Sequence, residues 1–125
     1  MSYDMDIVNE NHETVQLPER HSIAGGTYCI GGTRELTLNI TGNYWKIFQR
    51  LFGEKGTDIF NGMEISESLP ILAKAIEELG DAEPDGNYWT PCDGNVKRCL
   101  MKLEALASLA LIYFPKNKMF WEKKG

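Results

Sequence analysis

The sequence predicts an α+β fold in which an N-terminal antiparallel sheet of about four strands packs against about three C-terminal helices. Leu36, Leu38 and Ile40 alternate with polar residues, as in a strand with one buried face. After residue 43, apolar residues recur at helical spacing instead. With 125 residues, 42% of them hydrophobic, the chain is expected to form a single domain, β-rich in 1–42 and helical in 43–125.

Two hairpins are predicted in the β-rich part. The first joins the segments MDIV and TVQL across the polar turn at 9–12. The second joins TYCI to ELTLNI, with Thr33 in a three-residue loop, so that Tyr28 and Ile30 share a face with Leu36. In this interpretation the Gly-Gly-Thr triplets that flank TYCI are turn residues. They lie between strands, whereas phosphate-binding glycines lie between a strand and a helix.

The first two predicted helices are bounded by glycine and proline. NYWKIFQRLF is expected to end at Gly53, in a left-handed cap. The second helix is expected to begin near Ser66–Pro70, with the proline in its first turn, where a missing N–H costs nothing. It is expected to end at Gly80.

The third predicted helix has the strongest apolar face, and Cys99 lies within it. Asp93 or Asn95 is expected to cap its N-terminus. The basic and aromatic tail FPKNKMFWEKKG follows this helix. We expect it to fold back on the domain through Phe120 and Trp121.

A long loop, DAEPDGNYWTPCDG, separates the last two predicted helices and is the main candidate for a functional site. Such loops in small domains are often functional. The stretch from Glu77 to Asp93 has six acidic residues and no basic one. It predicts a surface on which charge steers a protein partner and loop rings anchor it. The candidate binding residues are Tyr88, Trp89, Asp81, Glu83, Asp85, Asp93, Lys97 and Arg98.

Two other interpretations concern the aromatic residues of this loop. Trp89 could instead fill the core between sheet and helices, because buried area dominates the energetics of large rings. The tetrapeptide Gly-Asn-Tyr-Trp also occurs twice, at 42–45 and 86–89. Each copy precedes a predicted helix, where asparagine and aromatic residues cap and pack. We interpret the repetition as a coincidence rather than as paired binding sites.

The cysteines and histidines do not form a pattern typical of a catalytic or metal site. Cys29, Cys92 and Cys99 make an odd number for disulfides, and the last two lack the spacing of a zinc module. His21 could pair with Cys29, but no third residue is placed to orient it, and His12 lacks ligand spacing. We therefore expect reduced thiols, no metal, no cofactor and no enzymatic activity.

Composition and charge also restrict the partners. No apolar run reaches the roughly 18 residues needed to span a membrane, and the acidic N-terminus has no apolar segment typical of a secretion signal. We expect a protein that works inside a cell and does not associate with a membrane. The net charge of −5 disfavours nucleic-acid binding, although lysines and aromatic residues alternate near the C-terminus.

Most of the chain resembles a family of small bacteriophage and prophage proteins with no assigned activity. The matching segments are LPERHSIAGGTYCIGGTRELTLNITGNYWKIF, FGEKG, SLPILAKAIEELGD and GNYWTPCDGNVKRCLMKLEALA. The resemblance runs from about Tyr3 to Leu111 and is weakest at the C-terminus. It implies a viral origin and an accessory role in the host cytoplasm, and it supplies no catalytic residues.

Together, the resemblance and the acidic loop predict an accessory protein that acts by binding, as an inhibitor of a host protein of anti-phage defence. The alternative is a protein that sequesters a small nucleotide or another anionic ligand. In that case Tyr88 and Trp89 would stack on the base, and Lys97 and Arg98 would contact phosphate. The sequence leaves open the identity of the partner, self-association and the role of the lysine-rich tail.

Overall fold

The computed structural model describes all 125 residues and confirms the α+β class. The strands are β1 (Ser2–Val8), β2 (Gln16–His21), β3 (Thr33–Glu35), β4 (Thr37–Thr41) and β5 (Phe120–Lys124). The α-helices are α1 (Trp45–Phe52), α2 (Ile65–Glu78) and α3 (Asp93–Tyr113). Short 3-10 turns at Gly42–Tyr44 and Gly56–Phe60 precede and follow α1.

The main sheet has three antiparallel strands in the order β4-β1-β5. Met5 of β1 lies opposite Leu38 of β4, and Ile7 of β1 lies opposite Trp121 of β5. These side chains are buried, as is Ile40 two residues farther along β4. The predicted alternation in β4 is therefore confirmed, and its apolar face is the sheet side of the core.

The helices cover that apolar face. Along α3 the buried residues are Gly94, Asn95, Val96, Cys99, Leu100, Leu103, Leu106, Ala107 and Ala110. Phe48 of α1 and Leu72 of α2 complete the core from the other two helices. The indole Nε1 of Trp121 donates to Ser68 Oγ of α2 at 2.8 Å, which satisfies the one polar atom of a buried ring.

The C-terminal tail folds back as predicted, and it does so as the third strand of the main sheet, which the sequence pattern did not predict. The lysines of the tail indicated a solvated segment rather than a strand. In the structure, however, the Lys123 side chain packs against the protein. Lys123 Nζ lies 4.6 Å from the centroid of the Tyr3 ring and 3.0 Å from Asp58 Oδ1. The ammonium thus ties the tail to the N-terminal strand.

The first predicted hairpin is reduced to its turn and a single bridge, and the second does not form. β1 pairs with β4 and β5, and it meets the segment before β2 only at the isolated Val8–Thr14 bridge. β2 pairs with β3 in a separate two-stranded sheet. The reason is that β1 occupies the centre of the main sheet, where β4 and β5, two distant segments, take both of its edges.

The segment TYCI is not a strand, and its apolar residues do not share a face with Leu36. Tyr28 is 69% exposed and Ile30 is 91% exposed. Gly31 and Gly32 form a turn with φ of +82° and +84°, and β3 begins only after it. β1 supplies the apolar partner surface for β4, so TYCI has no burial to gain by pairing there.

The helix boundaries agree with the sequence in part. Gly80 follows α2 with a φ of +58°, which confirms the predicted stop. α2 begins at Ile65, so Pro70 lies beyond its first turn, contrary to the prediction. The tail explains this early start, because Ile65 N–H donates to the Met119 carbonyl at 3.1 Å. Gly53 has a φ of +90° but an extended ψ of −174°, so it is not a left-handed cap.

None of the three helices combines the length and the apolar composition needed to cross a membrane.

Candidate binding surface

The acidic loop, defined as residues 81–92, is fastened to α3 by Asn95. The Asn95 side chain is buried, and its Nδ2 donates to the Asn87 and Thr90 carbonyls, both at 2.9 Å. Its Oδ1 accepts from the Asp85 N–H at 2.8 Å. Neither Asn95 nor Asp93 is the helix cap that the sequence predicts, because the N-cap is Cys92 and no side chain bonds there. The helix already begins at Asp93, and the amide holds the loop instead.

Further contacts fix the backbone of the loop. Asp85 Oδ1 accepts from the Asn87 N–H at 2.7 Å, and Asn87 Oδ1 accepts from the Trp89 N–H at 3.0 Å. These are two consecutive Asx turns. A Cβ on Gly94 would lie 1.7 Å from the Glu83 carbonyl oxygen, so only glycine lets the loop pack on the first turn of α3. The loop is long but pre-organised.

The two Gly-Asn-Tyr-Trp copies contact each other. Asn43 Nδ2 of the first copy donates to the Trp89 carbonyl at 3.0 Å. The Tyr44 hydroxyl donates to the Tyr88 carbonyl, and the two tyrosine ring centroids are 5.7 Å apart. The interpretation as unrelated helix caps missed this contact, which joins the acidic loop to the end of β4.

Tyr88 and Trp89 have different environments. The Tyr88 hydroxyl donates to the Asn39 carbonyl of β4 at 3.0 Å. Burial raises the pKa of Tyr88 to about 12. Trp89 packs edge-to-face on Tyr88 with ring centroids 4.6 Å apart, and 50% of it is exposed. Trp89 therefore does not fill the core between sheet and helices. Tyr88 lies beneath the Trp89 ring and packs against it.

The acidic candidates divide into free and paired carboxylates. Asp81, Glu83 and Asp85 are exposed and take part in no ion pair. Asp93 Oδ1 lies 2.7 Å from Arg50 Nη2 of α1, in an exposed ion pair. The structure thus leaves the carboxylates of Asp81 and Glu83 open to a partner, whereas Asp85 has one oxygen in an Asx turn and Asp93 pairs with Arg50.

The two basic candidates are also used differently. Lys97 Nζ donates to the Gly80 carbonyl at 2.5 Å, where it neutralises the C-terminal end of α2. Arg98 is exposed and has no ion pair. Of the pair predicted to contact phosphate, only Arg98 is free, and Asp93 adds a negative charge to the first turn of α3.

Several residues of this surface were not identified from the sequence. A Cβ on Gly26 would lie 3.1 Å from both the Tyr88 and the Trp89 rings, and one on Gly25 would lie 1.8 Å from the Asn39 carbonyl oxygen. The first Gly-Gly-Thr triplet is therefore a site of close approach rather than a turn. The Asp-x-Asn-x-Trp spacing of the Asx turns was a usable local signal, but these glycine contacts depend on pairing that no local pattern reveals.

Two cavities lie beside these residues. One has a volume of about 260 Å³ and lies between segment 22–33 and the outer face of β1 and β4. The other, of about 330 Å³, is lined in part by Trp89 and Asn43. Thr27 and Asn39 line both, so the two cavities adjoin along β4.

His21 and Cys29 line the first cavity, but they do not form a catalytic pair. His21 Nε2 donates to the Glu35 carbonyl at 2.7 Å, and His21 Nδ1 accepts from the Ile23 N–H at 3.2 Å. Both ring nitrogens are thus used by the backbone, and neither is left to take a proton from Cys29. The structure brings together no group of three or more histidine, cysteine, aspartate or glutamate side chains that could hold a metal ion.

The chain matches no known protein family, no curated protein and no solved structure. The resemblance to phage proteins stays a prediction from the sequence. The geometry of the acidic loop is the basis for the functional proposal that follows.

Proposed function

We propose that this protein acts by binding another protein through the acidic loop, as a phage-encoded inhibitor of a host protein of anti-phage defence. The observation that carries the binding proposal is the half-exposed ring of Trp89 on a fixed backbone. The viral role and the host partner come from the sequence resemblance. No residue of this surface has a proposed catalytic function.

Trp89 has the properties of an interface anchor. Tryptophan is enriched among the residues that dominate binding energy. Here the Trp89 N–H and carbonyl are both hydrogen-bonded, at 3.0 Å to Asn87 Oδ1 and Asn43 Nδ2. Because the Trp89 backbone is fixed and its ring packs on Tyr88, Trp89 loses little conformational entropy when a partner binds it.

The charge around the ring defines the kind of partner. Asp81, Glu83 and Asp85 lie in the same loop and have no cationic partner of their own. Unpaired carboxylates accelerate association with a basic surface and disfavour an acidic one. We therefore infer that the partner presents lysine and arginine side chains around an apolar pocket.

Binding can be tested with tagged protein and Trp89→Ala. The partner is captured from host cells by the wild type, identified and purified, and its affinity for each variant is measured by calorimetry. We expect Trp89→Ala to weaken binding by about 30-fold or more, which corresponds to a hot-spot loss of about 2 kcal/mol. The matched control is Ile112→Ala, because Ile112 is a 73% exposed apolar residue on α3.

Several outcomes would contradict this proposal. A Trp89→Ala variant that melts like the wild type and binds the partner within threefold removes the ring from the interface. A nucleotide that raises the melting temperature of the wild type in the absence of any protein favours the ligand-binding alternative. The double alanine variant at positions 88 and 89 should also abolish binding, but loss of the Tyr88 contacts lowers stability, so the single variant is the cleaner test.

A further inference from the structure

The Tyr-Cys-Ile loop, defined as residues 27–31, exposes two large apolar side chains next to the acidic loop. Tyr28 and Ile30 are among the most exposed large apolar residues of the chain. Exposed apolar groups that cluster on one surface are typical of protein interaction sites. The acidic loop alone does not account for them.

The loop is held at both ends and is free between them. On one side Gly26 N–H donates to the Asn39 carbonyl at 3.1 Å, and on the other Thr33 pairs with His21. Lys102 Nζ of α3 also donates to the Ala24 carbonyl at 2.5 Å. Between these anchors the only hydrogen bond runs from the Gly32 N–H to the Cys29 carbonyl, at 3.0 Å. The loop can therefore adjust to a partner without loss of the fold.

The surface is continuous from Trp89 to this loop. Gly26 lies directly against the Trp89 ring, since a Cβ at this position would approach the ring to 3.1 Å. The next residue, Thr27, lines the cavity that contains Trp89 and also the cavity that contains Tyr28. A partner that covers Trp89 would thus lie beside Tyr28 as well.

The 260 Å³ cavity behind the loop is suited to a cationic group. Asp4 and Glu35 line it, together with Ser22, Thr27 and His21, whose two ring nitrogens are both hydrogen-bonded to the backbone, and no lysine or arginine does. Asp4 accepts one hydrogen bond, from Asn39 Nδ2 at 2.8 Å, while the Glu35 carboxylate has no hydrogen-bond or ion partner. Carboxylate and hydroxyl oxygens bind an ammonium or guanidinium group and repel an anion.

We propose that the Tyr-Cys-Ile loop and this cavity form the second half of the binding surface. Tyr28 and Ile30 contact apolar groups of the partner, and one lysine or arginine side chain of the partner enters the cavity beside Asp4 and Glu35. The identity of the occupant as part of a protein rests on the proposed function. The preference of the cavity for a basic side chain is independent of the proposed function, and it can be tested without the partner.

The first test is an NMR titration of the wild type with blocked amino acids. N-acetyl-arginine methylamide and its lysine counterpart are the probes, and N-acetyl-glutamine methylamide and inorganic phosphate are the controls. We expect saturable shifts of the amide signals of Ala24, Thr27 and Thr33 with the basic probes only, and their loss in Glu35→Gln. Equal shifts with the glutamine compound, shifts with phosphate, or no shift at all would overturn the cavity assignment.

The second test uses the captured partner and the Tyr28→Ala/Ile30→Ala double variant. We expect a loss of affinity of about tenfold or more with an unchanged melting temperature, because neither side chain packs in the core. If Trp89→Ala weakens binding and the double variant does not, this inference fails while the proposed function stands. If Trp89→Ala has no effect, the proposed function fails, and the NMR result alone decides the cavity.

Discussion

Replacement of Asn95 by alanine tests whether one buried amide holds the acidic loop. The change removes three hydrogen bonds from Asn95 to the loop backbone. A hydrogen bond of this kind contributes about 0.5–1.5 kcal/mol net. Three of them sum to roughly 1.5–4.5 kcal/mol, and water that reaches the loop replaces part of this, so we expect a loss of about 2–3 kcal/mol. For a domain of this size that corresponds to a melting temperature lower by roughly 10 °C.

The assay combines urea unfolding, followed by circular dichroism, with hydrogen exchange of the Asp85 amide. In Asn95→Ala this amide should exchange faster, because its acceptor is lost. The matched control is Asn117→Ala, since Asn117 is exposed and its side chain makes no hydrogen bond. A loss below about 0.5 kcal/mol, within the range of ordinary surface substitutions, would refute the assignment of Asn95 as the anchor.

The Asn95→Asp variant distinguishes the hydrogen bond that the Asn95 side chain accepts from the two that it donates. The carboxylate keeps the acceptor for the Asp85 N–H but places oxygen against the Asn87 and Thr90 carbonyls. Its charge lies in the first turn of α3, where the helix dipole favours it by about 0.3–1 kcal/mol. We still expect net destabilisation. If this variant is as stable as the wild type, the two carbonyl contacts contribute no more than the helix dipole returns.

Three further predictions follow from burial. Leu103→Ala should lower the free energy of unfolding by about 2–5 kcal/mol, and Ile112→Ala should leave it nearly unchanged in the same urea experiment; a loss under about 1 kcal/mol would remove Leu103 from the core. Burial raises the pKa of Cys99 to about 12, so iodoacetamide at pH 8 should alkylate exposed Cys29 in the folded protein and reach Cys99 only in urea, as mass spectrometry can show. The raised pKa of Tyr88, about 12 when folded against about 10 when unfolded, means that the folded state binds more protons between these values. Stability should therefore fall as pH rises from about 10 to about 12, because the unfolded state loses its tyrosine proton first, and a constant unfolding midpoint over this range would contradict it.

The local parts of the fold could be predicted from the sequence. The alternation at Leu36, Leu38 and Ile40 and the glycine at the end of α2 depend on neighbouring residues only. Strand pairing depends on competition between distant segments. TYCI has the composition of a strand, yet it stays outside the sheet, in which β1 pairs with β4 and β5.

The candidate site shows the same division. The acidic loop was predicted from length, composition and charge, and the exposure of Trp89 was one of the two interpretations that the sequence left open. The roles of Asn95, Gly25 and Gly26 were not, because each depends on backbone from another part of the chain. A buried asparagine in the first turn of a helix resembles a cap in sequence, and only the folded loop shows that its amide points elsewhere.

The position of β5 has a consequence for biosynthesis. Among the elements of this fold, β1 is made first and lies at the centre of the main sheet, but β5, its partner on one side, is made last. Synthesis proceeds at about 5–20 residues per second, so β1 waits for several seconds with one edge and the site of Trp121 uncovered. The nascent chain therefore cannot complete its core until β5 has emerged from the ribosome. During that interval the open edge of β1 is where a chaperone, or a second nascent copy, would bind first.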